Sequence, residues 1–280
     1  MALDQKEVTG PFAKLRKQLG KLPRRPSPGE VHKLRTRTRR IEAVLQAFRL
    51  SDRTKGGELL EHISGLRKGA GKVRDMDVLT GFAASLPVHQ HRECLVALLE
   101  QLGLRRAEAA RRLHKTVRGA RKPARHALQR CCRRIGRELK SGNSEWASDA
   151  AAVALQLSGE LANWPKPTAA NLHEFRLKTK QLRYTLKLSG DKAPLLSFSG
   201  EAKDRIGEWH DWHELAAIAR KAIGHGGRCE VLDLIQSGEK KRLERALWAA
   251  NRLRAQYFKP QGRGYKLGPR VIKVTAGLAA

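Results

Sequence analysis

Apolar residues recur at helical spacing along almost every long segment of this 280-residue chain. In the segment 31–48 they follow the i, i+3, i+4, i+7 pattern of one helix face: Val31, Leu34, Thr38, Ile41, Leu45 and Phe48. Similar patterns occur at 95–117 and 172–186, and no segment alternates in the way that predicts a convincing β-strand. Because an amphipathic helix must bury its apolar face against another element, the sequence predicts an all-α helical bundle.

Proline, glycine and asparagine indicate where these helices should begin and end. SPGE at 27–30 marks the start of one long helix, and the segment 163–173, with two prolines and an asparagine, opens another. Pro123 is expected to interrupt the helix that precedes it, and SGNSEW at 141–146 to end that basic stretch. The residues from 259 to 280 are basic, Gly-rich and aperiodic, so we expect them to be weakly ordered or to dock late.

Two motifs occur twice, in the same order. VHKLRTRTRRI at 31–41 aligns with LHEFRLKTKQL at 172–182, and GKVRDMDVL at 71–79 aligns with GEWHDWHEL at 207–215. The first alignment pairs His32 with His173, Arg35 with Arg176 and Arg39 with Lys180, and the second pairs Gly71, Asp75 and Leu79 with Gly207, Asp211 and Leu215. Two matches in one order predict the tandem duplication of a helical unit.

The cations of the repeated helix form a ridge beside its apolar stripe. On a helical wheel of about 100° per residue, His32, Arg35 and Arg39 fall within about 60° of one another. A solvated face would scatter its charges and mix in acids at i±4. Two like charges about 6 Å apart repel by roughly 3 kcal/mol at an effective dielectric near 20. The ridge therefore predicts a crevice in which a bound anion relieves this repulsion.

The charge balance points to the class of anion. The chain has 57 Lys and Arg against 27 Asp and Glu, a net charge of +30, which attracts nucleic acid, an anionic membrane surface or an inorganic polyanion. Residues 105–134 alone hold twelve Lys and Arg and one acid. Aromatic residues, which stack on bases, make up only 5% of the chain, whereas guanidinium groups match phosphate oxygens. The sequence thus favours a ligand that is all phosphate, with nucleic acid as the alternative because phosphate contacts dominate that affinity too.

Other classes find little support in the sequence. No stretch approaches the roughly 20 apolar residues that cross a bilayer, and the N-terminus lacks the apolar region of a secretory signal. The four cysteines lack metal-ligand spacing and suit a reducing cytoplasm. The histidines have cations rather than carboxylates around them, no catalytic motif is present, and the cationic ridges contain almost no acid that could hold magnesium. We therefore expect a cytoplasmic protein without membrane insertion, metal, cofactor or enzymatic activity, and we make no prediction of its oligomeric state.

The residues also resemble a known family. The repeated His-x-x-Arg-x-x-x-(Arg/Lys) helix, RDMDVL after its first copy and LRYTL within its second resemble the CHAD domain, the conserved histidine α-helical domain, over roughly residues 20–258. The resemblance implies two four-helix bundles related by pseudo-twofold symmetry, forming one compact domain with a basic central groove or pore. It divides the chain into an N-terminal segment, a first repeat, a second repeat and a basic tail: 1–19, 20–145, 146–258 and 259–280.

The resemblance further implies that the groove binds inorganic polyphosphate, with nucleic acid bound only non-specifically. The sequence leaves open whether the protein associates with polyphosphate granules, targets partners there or buffers free chains. The implied polyphosphate-binding residues are His32, Arg35, Arg39, Arg40, Arg67, Arg74, His173, Arg176, Lys180, Arg183, Tyr184 and Lys203. Glu42 aligns with Arg183, Gln181 with Arg40 and His210 with Arg74, so the two halves are expected to grip unequally. Many relatives carry a CYTH-type triphosphatase domain, but its Glu-x-Glu-x-Lys motif is missing here, so we expect a stand-alone binder.

Overall fold

The computed structural model describes residues 4–50, 54–141, 145–189, 194–223 and 229–258. These residues form eight α-helices and one short 3-10 helix over Lys187–Ser189, with no strand among them. The helices are α1 Gln5–Lys21, α2 Pro28–Ala47, α3 Thr54–Ala84, α4 Arg92–Lys140, α5 Glu145–Ala162, α6 Leu172–Leu186, α7 Pro194–Ala222 and α8 Glu230–Tyr257. The predicted all-α class is confirmed, whereas the predicted tail 259–280 lies outside the described residues.

Helix α2 begins where the SPGE motif predicted it. The Ser27 hydroxyl accepts a hydrogen bond from the Glu30 amide at 3.3 Å, and the Glu30 carboxylate accepts one from the Ser27 amide at 2.8 Å. This reciprocal pair satisfies two amides at the helix start, a cap that contributes about 1 kcal/mol. It fixes the first turn of α2 and, through the helical period, the direction in which Arg35 and Arg39 point.

The helices pack as two sets of four in matching order. In the first set α1 contacts α2 and α4, while α3 contacts α2 and α4. In the second set α5 contacts α6 and α8, while α7 contacts α6 and α8. The sets meet where α2 contacts α5 and α6, and where α7 contacts α3 and α4. The pseudo-twofold relation between the sets stays a prediction, as do the repeat boundaries, one of which, at residue 19, falls within α1.

Three apolar clusters hold these helices together. The first fills the first set around Phe12, Leu34 and Phe48, and the second fills the second set around Phe175 and Leu182. The third cluster is shared by both sets, because the end of α3 and the start of α4 pack against α7 and the start of α8. Its members include Leu79, Leu98, Trp212, Leu215 and Ile235. The aligned leucines of the second repeated motif, Leu79 and Leu215, thus lie in one core.

The predicted interruption at Pro123 is wrong, because α4 runs without a break from Arg92 to Lys140. A proline inside a helix removes the hydrogen bond to the carbonyl four residues earlier, here that of Gly119. Gly119 and Pro123 are both exposed, so water can bond that carbonyl. Meanwhile Val117, Ala124 and Leu128 continue one buried face across the site, and this packing outweighs the local cost. The predicted end at 141–146 is confirmed by the cap at Ser141 and the start of α5.

No helix in the described part of the chain combines the length and the apolar character that crossing a membrane requires.

Candidate anion-binding site

Four cationic side chains from the two repeated helices lie together where α2 meets α6. We name this group, Arg35 and Arg39 of α2 with Arg176 and Lys180 of α6, the cationic cluster. Burial, followed by the charges of Arg35, Arg67 and Arg176, lowers the pKa of Arg39 to about 10. Burial also lowers the pKa of Arg35 and of Arg176, and the charge of Arg35 contributes to the lowering at Arg176. The sequence-predicted convergence of these four residues is therefore present.

Lys180 occupies the most restrictive position in the cluster. Its residue surface is only 7% exposed. Burial lowers its pKa to about 5, and Arg39, Arg176, Arg35 and Lys203 add their repulsion. Lys180 is consequently a neutral amine at pH 7 until an anion approaches, since an opposite charge nearby restores the charged form.

The arginines of the two repeated helices approach the backbone of the next helix at aligned glycines. Arg35 lies against Gly71 of α3, where an added Cβ would be 3.9 Å from Nε. Arg176 lies against Gly207 of α7, where an added Cβ would be 2.5 Å from Nη2. Arg176 Nε also donates to the Lys203 carbonyl at 3.1 Å. The alignment of Gly71 with Gly207 in the sequence could have indicated these two close approaches, although neither glycine was among the predicted site residues.

Part of the donor capacity of the cluster is unused. Arg35 Nε and Arg39 Nε are buried and have no hydrogen-bond partner among the described residues. An unsatisfied buried donor of this kind costs about 1–3 kcal/mol, and native structures contain few of them. Two in one cationic crevice indicate a site built to be completed by hydrogen-bond acceptors with negative charge, such as phosphate oxygens.

Carboxylates from α3 and α7 border the cluster. Arg74 of α3 donates to Asp211 of α7 at 3.1 Å and lies 3.5 Å from Asp75. The charges of Asp75 and Asp211 act to raise the pKa of Arg35, and the charge of Asp211 acts in the same direction on Arg176. The interpretation that Asp211 braces a cation of the adjacent helix is thus confirmed. Beyond Asp75 lies a cavity of about 280 Å³ that Glu214 and Arg105 also line.

Two imidazoles stand beside Arg176. The rings of His173 and His210 have their centroids 4.4 Å apart. Burial, then the charges of His173 and Arg176, lower the pKa of His210 to about 4. Burial and the charge of Arg176 also lower the pKa of His173, whose buried Nδ1 has no partner within the described residues. Both rings are neutral at pH 7 and can each donate one hydrogen bond.

The other predicted residues extend the positive potential away from the cluster. Tyr184 lies close enough to Arg35 and Arg39 to affect the pKa of both arginines. Arg183 donates from Nε to the Leu196 carbonyl at 3.1 Å, and its charge, with those of Arg40 and Lys203, contributes to lowering the pKa of the half-buried Lys187. These neighbours connect the cluster to Arg40 through α6.

Like Arg74, the predicted residues Arg67 and Lys203 already have acidic partners. Arg67 Nε donates to Glu42 at 2.6 Å, and Lys203 pairs with Asp204. Glu42 stands where the second copy has Arg183, so this departure of the first copy from the repeat takes up one of its cations.

His32 and Arg40 lie elsewhere than His173. His32 is exposed, and with Arg40 it lines a cavity of about 300 Å³ between α1 and α2, whose other members include Lys6, Glu7 and Lys14. Arg40 is 4.0 Å from Glu7 there. The aligned histidines are therefore not equivalent, and no contact among the described residues joins His32 to the cationic cluster.

The cluster can bind an anion, and its chemistry is that of a phosphate receptor rather than a metal site. Its four groups are three guanidinium groups and one amine, and guanidinium groups stay protonated and donate hydrogen bonds rather than ligate a metal ion. Within the described residues, no group of three or more His, Cys, Asp and Glu could hold a metal ion.

Comparisons with known proteins give one family and one structure. The CHAD domain family model matches residues 9–220. The solved structure of PptA from Streptomyces chartreusis is similar to the chain with a TM-score of 0.45 and 18% sequence identity, covering 91% of this chain and 99% of that one. No curated protein matches the chain.

Proposed function

Because the chain belongs to the CHAD domain family, we propose that it binds inorganic polyphosphate, without catalysis, at the cationic cluster between its two sets of helices. A polyphosphate chain carries its charges along a slender string of phosphates and has no bases to be read. The observation that carries the proposal is the pair of buried, unpartnered guanidinium nitrogens of Arg35 and Arg39 beside the neutral amine of Lys180. Each of these groups gains a hydrogen bond, a charge partner or a proton when a phosphate arrives.

The proposed binding set has a centre and a periphery. Arg35, Arg39, Arg176 and Lys180 form the centre, and the nearby predicted residues with unused or partly used capacity are Arg74, His173, Arg183, Tyr184 and Lys203. Arg67 contributes less because Glu42 already holds it. His32 and Arg40 would contact the same chain only where it leaves the centre toward α1.

The cellular part of the proposal is that the protein is cytoplasmic and associates with polyphosphate granules. A binder with several phosphate contacts along one linear ligand would be retained on a granule surface by the same residues that bind free chains. Charge reversal of the cluster in R35E/R176E should therefore release the protein from granules while its fold persists.

The central test is charge reversal of the aligned arginines in R35E/R176E. Polyphosphate affinity should fall by more than about tenfold at roughly physiological ionic strength, because two charge-assisted contacts are replaced by repulsion. The matched control is K240E/R245E, which reverses two exposed charges on α8 and should change affinity much less. Circular dichroism verifies that both variants keep their helices. Equal losses in the two variants would reject a localised site.

Nucleic acid is the competing ligand, and competition distinguishes it. Unlabelled polyphosphate should displace a short single-stranded RNA or DNA from the cationic cluster, and single-stranded or duplex nucleic acid at equal phosphate concentration should not displace labelled polyphosphate at about 150 mM salt. Polyphosphate affinity should also fall linearly with salt on logarithmic axes, with a steep slope. Displacement of polyphosphate by nucleic acid, or a flat salt dependence, would contradict the proposal.

A further inference from the structure

A second basic surface lies on α4, outside the cationic cluster. Six exposed cations define what we name the α4 basic face: Arg111, Lys115, Arg118, Lys122, Arg125 and Arg133. At about 100° per residue these six side chains fall within about 80° of one another on the helix. The buried residues Leu113, Val117, Ala124 and Leu128 lie on the opposite side, where α4 packs on α1 and α3. The α4 basic face is thus a single row of cations open to solvent.

The α4 basic face has no acidic counterpart. Residues 109–137 contain no Asp or Glu, and none of the six cations makes an ion pair with a described residue. At the margins of the row, Arg112 pairs with Glu108 and Arg130 pairs with Glu58 at 3.1 Å. The tail 259–280 also contains no acid that could neutralise the row. Acids are thus paired with cations beside the row and absent from the row itself.

We propose that the α4 basic face binds the phosphate backbone of a double-stranded nucleic acid, independently of its sequence and of the proposed polyphosphate site. From Arg111 to Arg133 the row is roughly 33 Å long, at about 1.5 Å per residue. One turn of a duplex is about 34 Å, with one negative charge per roughly 1.7 Å of axis. A row of cations along one continuous helix therefore matches in length the phosphates along one turn of a duplex.

The composition of the face favours a duplex over other polyanionic partners. Residues 111–133 contain no Phe, Tyr or Trp, so single strands find no side chain on which bases could stack. The exposed positions there carry no large apolar side chain, whereas helices that lie on membranes insert Trp, Phe or Leu between the headgroups. The cationic cluster, by contrast, is a half-buried crevice between helices that a duplex could not enter.

The test measures duplex binding by the full chain and by two variants of equal charge. The first variant, R111Q/K115Q/R118Q/K122Q, neutralises four cations of the face with a residue of good helix propensity. The control, K221Q/K240Q/K241Q/R245Q, neutralises four exposed cations of α7 and α8. The probes are a mixed-sequence DNA duplex of about 30 base pairs, or roughly three turns, and a labelled polyphosphate. Both affinities are followed by fluorescence anisotropy across a range of salt concentrations.

The face variant should lose at least about tenfold in duplex affinity. The slope of log affinity against log salt should become shallower by up to about 3.6, since each of the four lost phosphate contacts contributes about 0.9. The control should change duplex affinity by less than about threefold, and polyphosphate affinity should fall in R35E/R176E but not in the face variant. An unchanged duplex affinity in the face variant would overturn the proposal. So would equal losses in face variant and control, which indicate net charge alone, or binding of anionic phospholipid vesicles without binding of duplex.

Discussion

Arg74 of α3 and Asp211 of α7 form a 3.1 Å hydrogen-bonded ion pair that joins the two sets of helices beside the cationic cluster. Asp211 is 8% exposed, and its charge also stabilises the protonated forms of Arg35 and Arg176. One carboxylate thus stabilises three arginine charges from both halves of the chain. It also lowers the positive potential that an incoming anion would meet.

The double role of Asp211 predicts opposite effects on stability and binding in D211N. The free energy of unfolding should fall by about 1–3 kcal/mol, because Arg74 loses a charged partner in a partly buried place. Polyphosphate affinity should rise several-fold, because the site loses one negative charge. The control is D204N, which removes the same charge from a side chain that is 72% exposed and should change stability little. Urea unfolding and titration calorimetry measure the two effects, and a D211N variant as stable as D204N would contradict the bracing role.

Substitution of Lys180 should have a different pair of effects, a gain in stability and a loss of polyphosphate binding. At pH 7 the folded protein holds this amine neutral, with a pKa of about 5, while the unfolded chain protonates it near its ordinary value. Folding therefore costs free energy, and K180M should raise the free energy of unfolding by roughly 1–4 kcal/mol while weakening polyphosphate binding. The stability difference between the two proteins should shrink as the pH rises toward the ordinary pKa of lysine, because both states are then neutral. A constant difference across this range would show that packing alone causes it.

The same residue predicts proton uptake on binding. A phosphate beside Lys180 raises its pKa from about 5, so the complex at pH 7 holds a proton that the free protein lacks. Affinity should therefore increase as the pH falls from about 8 and level off near the pKa of the free protein. Calorimetry at pH 7 in two buffers of different ionisation enthalpy counts the protons, and about one should be taken up. K180M should lose this uptake, leaving only what His173 and His210 contribute.

The aligned glycines make a matched pair of substitutions. G207A places a Cβ 2.5 Å from Arg176 Nη2, so the guanidinium must move and its hydrogen bond to the Lys203 carbonyl is lost. G71A leaves 3.9 Å to Arg35 Nε and displaces nothing. Polyphosphate affinity should fall about tenfold in G207A and hardly in G71A, although both gain up to about 1 kcal/mol of helix propensity. Equal affinities in the two variants would show that the position of Arg176 is unimportant.

Much of the central arrangement could be predicted because it depends on helical period. The wheel placed Arg35 and Arg39 on one ridge and the repeat transferred that ridge to Arg176 and Lys180, and the structure brings all four together. Period fixes the direction of a side chain around its own helix. It does not fix which helix stands opposite, and this limit explains the failures.

His32 shows where period is insufficient. It shares a ridge with Arg35 on the wheel, yet it faces α1 and solvent, whereas His173 meets His210 of α7. The first copy has Arg74 where the second has His210, and Arg74 turns to Asp211 instead. Likewise, the predicted interruption at Pro123 followed a local rule about proline in helices, and the packing of the continuous buried face of α4 outweighed it. Both outcomes depend on contacts between segments distant in sequence.

The third apolar cluster joins the two sets of helices through one shared core. Phe82 of one half stacks on Trp212 of the other with ring centroids 5.5 Å apart, among residues that neither half could cover alone. Cutting the chain between α4 and α5 would expose part of this apolar cluster to water in each fragment. The fragments should therefore aggregate rather than fold independently. We therefore expect the two sets of helices to unfold in one cooperative transition.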